Sequence, residues 1–61
     1  MNAFVQFNGD NYGEILNFTP SHISSDGKTI RLYVSIPFEG DVEVHKGDYI
    51  LNENGKIRVR K

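Results

Sequence analysis

Cysteine and tryptophan are absent from these 61 residues, and proline occurs only twice. Without cysteine there is neither a disulfide framework nor a thiolate zinc site, the usual supports of small secreted domains, so a reducing compartment fits. Long apolar runs are missing as well: none exceeds three residues, as in Ala3-Phe4-Val5 and Leu32-Tyr33-Val34. A membrane span needs roughly 20, and a signal-peptide core is also far longer than three. Neither sign of charge dominates, since seven Lys+Arg stand against eight Asp+Glu for a net charge of −1. The expectation is one complete domain over residues 1–61, cytoplasmic and free of the membrane. The short length also argues against an enzyme. Ordering costs about 1.5 kcal/mol per residue, so one core claims nearly all the apolar side chains and few are left to line a catalytic cavity.

What is present is short-period patterning. Ile30, Leu32, Val34 and Ile36 alternate with Arg31, Tyr33 and Ser35, which predicts a half-buried strand. The Asp26-Gly27 turn signal before it makes His22-Ile23-Ser24 its hairpin partner, and Pro37, lacking an N–H, ends its ladder. Three more strands are expected at Asp41 to His45, Tyr49 to Leu51 and Lys56 to Arg60, joined by Lys46-Gly47-Asp48 and by Asn52-Glu53-Asn54-Gly55. Their alternation suits an antiparallel meander wetted on one side, and Asn54-Gly55 suits a primed two-residue turn.

Ala3 to Phe7 is aromatic and β-branched and reads as a strand ended by Asn8-Gly9-Asp10. Residues 11–18 read as a short helix: Asn11 and Glu14 have the spacing of a capping box, and Tyr12, Ile15 and Leu16 fall at i, i+3 and i+4. Gly13 opposes this by about 1 kcal/mol relative to Ala. The expected fold is α+β and mainly β, a small antiparallel meander sheet of about five strands with one short helix near the N-terminus.

The segments Val5-Gln6-Phe7-Asn8-Gly9-Asp10-Asn11, Glu39-Gly40-Asp41-Val42 and Gly47-Asp48-Tyr49-Ile50, in that order, resemble a family of small phage and prophage proteins. Those proteins carry a V-Q-F/W-x-G-x-N start, an E-G-x-x-x-V segment and a G-D-[YW]-I-I motif. They continue with G-E-F-Y-P-C, where this chain reads Gly55-Lys56-Ile57-Arg58-Val59-Arg60-Lys61. The resemblance implies a phage or prophage origin and a bacterial cytoplasm, and it implies no reaction. Turn chemistry alone accounts for Gly47-Asp48-Tyr49-Ile50: Gly and Asp make the turn, and Tyr49 and Ile50 start a strand, one to each face.

Few residues suggest chemistry. Asp41, Glu43 and His45 share one strand face, but successive same-face side chains lie about 6.5–7 Å apart, so the outer two cannot both reach one ion at roughly 2.0–2.2 Å without a bulge or a fourth ligand from elsewhere. Neither a metal nor another cofactor is expected. The serines lack a G-x-S-x-G context, the glycines are isolated, and no nucleophile or phosphate loop is indicated. Charge is uneven, with no Lys or Arg before residue 28 and most of the cations from residue 46 onward.

Lys56, Arg58 and Arg60 form a basic row on one strand face, with Lys46, Lys61 and Arg31 as potential neighbours and Tyr33 as an outward aromatic. Such a row protects an edge strand from aggregation, and it also suits a single strand of nucleic acid. A pI of about 6.0 favours the former, because dedicated nucleic-acid binders usually exceed about 9. The expectation is a non-enzymatic module that binds a host or phage protein, with Tyr33, Tyr49, Lys56, Arg58 and Arg60 as contact residues. Single-stranded nucleic-acid binding is the alternative, followed by a phage assembly role through self-association of an edge strand.

Overall fold

The computed structural model describes residues 2–61. The elements run β1 (Asn2–Gln6), α1 (Tyr12–Phe18), β2 (Ser21–Ser25), β3 (Ile30–Ile36), β4 (Gly40–Val44), β5 (Tyr49–Glu53) and β6 (Lys56–Arg60). The molecule is mainly β, as the alternating segments predict, with β3 and β6 at the expected bounds. Among the described residues six strands form rather than about five. The helix follows β1 and does not stand at the N-terminus.

The single meander is overturned. The strands divide into two antiparallel sheets of three, ordered β2-β3-β4 and β1-β5-β6, and β4 does not pair with β5. The cause lies in the turn between them. Asp48 closes that turn by donating its N–H to the His45 carbonyl at 2.9 Å, while Gly47, at φ +96°, donates to the Phe7 carbonyl at 2.7 Å. Phe7 in turn donates to the Asp48 carbonyl at 2.9 Å. Backbone groups that a β4–β5 hairpin would use are therefore taken by Phe7, and β5 leaves the turn beside β1, with Val5 opposite Ile50 and Gln6 opposite Tyr49.

The two hairpins inside the sheets follow the turn residues. Asn54 and Gly55 have φ of 56° and 91°, the paired positive values of a primed turn, and set Glu53 opposite Lys56. In the β2–β3 loop the Asp26 carboxylate accepts the N–H groups of Lys28 at 2.9 Å and Thr29 at 2.8 Å.

The capping box does not form. Asn11 makes no side-chain cap; its Nδ2 donates to the Gln6 carbonyl at 2.9 Å and to Glu14 Oε1 at 2.6 Å, which turns its side chain back toward β1. Thr19 ends the helix by donating its N–H to the Ile15 carbonyl, just before Pro20. Only part of the expected helix stripe is buried: Ile15 is fully enclosed and Tyr12 is half-buried, but Leu16 is 42% exposed.

One core joins the sheets. It takes Val5, Phe7 and Ile50 from the β1 side, Leu32, Val34, Ile36 and Val44 from the β3 side, and Ile15 from α1. Ile15, Val34 and Ile50 have no exposure at all. A domain of this length is stable by only about 3–9 kcal/mol, and a large-to-small change at a sealed position costs about 2–5 kcal/mol. Ile50→Ala is therefore expected to lower the unfolding free energy by about 2–5 kcal/mol, read as a fall in the urea midpoint of the circular dichroism signal. Phe38→Ser, at an exposed turn tip, is expected to lower stability by no more than about 0.5 kcal/mol.

Candidate functional site

The pleat that buries Val5 and Ile50 turns their neighbours outward. On the solvent face of β1-β5-β6 this builds three cross-strand levels: Phe4, Leu51 and Arg58; Gln6, Tyr49 and Arg60; Asn2, Glu53 and Lys56. Phe4 is 67% exposed and Tyr49 38%, and their ring centres lie 6.1 Å apart at 56°. Leu51 is half-buried between them and the basic strand. Four of the five predicted contact residues, Tyr49, Lys56, Arg58 and Arg60, thus share one face.

Tyr33 does not join them. It lies on the outer face of the other sheet, stacked on His22 with ring centres 5.3 Å apart and planes at 20°. Around it are acidic and imidazole groups: His22 Nε2 is 3.5 Å from Asp41 Oδ2, and His45 Nε2 is 3.6 Å from Glu43 Oε2. Among the described residues no group of three or more His, Asp or Glu is placed to hold a metal ion. Arg31 is also on this sheet and is separated from the basic row.

Phe4 and Leu51 were not among the predicted contacts. The signal for Phe4 was available in the alternation of Phe4 with Val5, which sends one of the two outward. Tyr49 and Ile50 behave as the turn reading requires, one exposed and one sealed.

The cations differ in freedom. Arg58 Nη1 reaches Glu53 Oε1 at 3.2 Å, an exposed pair of little energetic weight. Lys61 is drawn off the face, its Nζ 3.1 Å from both Asp48 Oδ2 and His45 Nδ1. The stem of Lys46 runs beside Gly9, where an added Cβ would stand 3.5 Å from its Cδ. Lys56 and Arg60 make no ion pair among the described residues and point to solvent.

Asp48 anchors the edge of this site. Its carboxylate is buried, which raises its pKa, but the His45 N–H at 2.9 Å and the Lys61 ammonium outweigh burial and hold the carboxyl below its ordinary value. Lys61, the residue that follows the basic strand, is thereby tied to the β4–β5 turn.

Shallow clefts open where β6 faces the β3–β4 turn. One of about 460 Å³ is floored by Ile36, Pro37 and Ile57 and edged by Lys56, Arg58 and Glu39. Another of about 470 Å³ lies toward Phe18 and Thr19, whose buried Oγ1 makes no hydrogen bond among the described residues. No helix among the described residues is long and apolar enough to cross a membrane.

The chain matches no protein family, no curated protein and no solved structure.

A carboxyl whose folded pKa is depressed stabilises the fold above its unfolded value and ceases to do so as the pH falls through the folded one. Asp48 and, through the Thr29 and Lys28 N–H groups, Asp26 both act in this direction. Stability is therefore expected to be level near neutrality and to fall as the pH drops below about 4. Asp48→Asn should lower the plateau by about 1–3 kcal/mol and flatten the acid limb. Thermal melts across that range check both; an unchanged acid limb in the variant contradicts the role given to Asp48.

Proposed function

We propose that the protein is a non-enzymatic, phage- or prophage-derived binding module whose working surface is the outer face of β1-β5-β6. One observation carries this reading: Phe4, Tyr49 and Leu51 share a solvent face with Lys56, Arg58 and Arg60. Exposed aromatic rings beside arginine are the composition of contact surfaces, where Tyr, Phe and Arg are enriched. A rigid sheet holds them ready without ordering a loop on binding. The resemblance to small phage and prophage proteins supports the origin, and a bacterial cytoplasm is the compartment that goes with it. A protein and a nucleic acid both present groups this face can take, and Tyr33 lies apart from it on the other sheet.

The test is capture from bacterial lysate on the immobilised protein, with and without nuclease, comparing the native chain with Phe4→Ala/Tyr49→Ala. Both side chains are exposed, so the variant should fold, which circular dichroism confirms. Material retained by the native chain is expected to be lost, by tenfold or more, from the variant. Equal capture by both would remove this face as the working surface.

A further inference from the structure

We infer that the outer face of β1-β5-β6 takes a single strand of nucleic acid, about two nucleotides deep, with each nucleotide served by one ring and one arginine. This rests on the binding-surface reading above and adds the class of partner.

The register carries the inference. At one level Phe4, Leu51 and Arg58 lie side by side across the three strands; at the next, Gln6, Tyr49 and Arg60 do. Successive levels on one face are about 6.5–7 Å apart, and the two rings, one level and one strand apart, have centres 6.1 Å from each other. Each level thus holds one ring and one arginine, with Tyr49 directly beside Arg60 and Phe4 separated from Arg58 by Leu51. A polymer that repeats a flat base and a phosphate at every unit matches such an arrangement, whereas a peptide repeats neither group. Base stacking on exposed rings is tolerant of sequence, and the basic strand lies along one side of the rings, where a backbone would run.

Charge agrees. Among the described strand residues no carboxylate stands at either ring-bearing level, and the one on this face, Glu53, is at the third level and paired with Arg58. Arg60 and Lys56 have no ion-pair partner among the described residues. The Gln6 amide, held through its Nε2 on the Gly47 carbonyl at 3.2 Å, offers its Oε1 beside Tyr49 as an acceptor for a base edge. A duplex keeps its bases stacked within the helix and can use only the cations.

Fluorescence anisotropy of labelled oligothymidylate and oligouridylate of about 12 nucleotides, a length within the usual range of one binding site, against a duplex of equal length, tests this on the whole protein. Single strands are expected to bind more tightly than the duplex. Their affinity should fall roughly sevenfold between 50 and 200 mM salt, the slope for about two phosphate contacts. Phe4→Ala and Tyr49→Ala should each weaken binding about tenfold, with the salt slope kept. Arg60→Ala should instead reduce the slope by about 0.7. Phe4→Leu keeps an apolar contact but removes the ring, so it should behave as Phe4→Ala for nucleic acid.

Affinity for single strands weaker than about 100 μM at low salt, equal affinity for duplex, or insensitivity to both ring substitutions overturns the inference. If lysate capture then still depends on Phe4 and Tyr49 and survives nuclease, the partner is a protein and the binding face stands. If no capture depends on them, the face itself is refuted.

Discussion

The structure depends on burying Ile50 of one sheet in the same cluster as Leu32 and Val34 of the other, with Ile15 of the helix completing it. That single burial sets the orientation of everything else. Once Val5 and Ile50 point inward, the two-residue period of a strand leaves Phe4, Tyr49 and Leu51 no choice but to point out. In a chain this short the exposed aromatics follow directly from the placement of the core.

The second constraint is the turn that carries the chain from one sheet to the other. Gly47 and Asp48 exchange backbone hydrogen bonds with Phe7, and the Asp48 side chain binds the His45 N–H and the Lys61 ammonium. One residue therefore sets where β5 begins, and with it the register that places Tyr49 across from Arg60. It also holds the end of β6. A Gly-Asp pair that turn propensity fully explains at the level of local structure is, at the level of the fold, the junction between the β1-β5-β6 sheet and the opposite one.

Much of this was legible in the sequence because it is local. The alternation of Ile30 to Ile36, the Asn54-Gly55 turn and the Lys56/Arg58/Arg60 row depend on neighbours in the chain, and each lies where the pattern places it. What was not legible is which strands pair. The periodicity of Asp41 to Val44 and of Tyr49 to Leu51 is the same whether the two are hydrogen-bonded or sit in separate sheets, so a continuous meander satisfied every pattern. The deciding bonds run from Gly47 and Asp48 to Phe7, about forty residues away in the chain, and no short-range signal encodes them. The same long-range step separates Tyr33 from the basic row and brings Phe4 to it. The helix cap failed for a related reason: Asn11 has the residue type and spacing of a cap, but the Gln6 carbonyl competes for its side chain.

Long-range pairing also changes how the balanced charge of the chain is to be read. A net charge of −1 suggests a surface of mixed sign, yet the two outer faces differ. Asp41 and Glu43 stand with His22 on the β2-β3-β4 face, whereas Lys56, Arg58 and Arg60 stand on the β1-β5-β6 face, where Glu53 is the only carboxylate among the described strand residues. Packed sheets are about 10 Å apart, and the outward side chains add to that separation. At physiological ionic strength charges are screened over about 8 Å, so a phosphate approaching the rings meets the arginines beside it and little of the acidic face behind. What such a ligand senses is the charge within one screening length, and the pairing of β5 with β1 makes that charge positive.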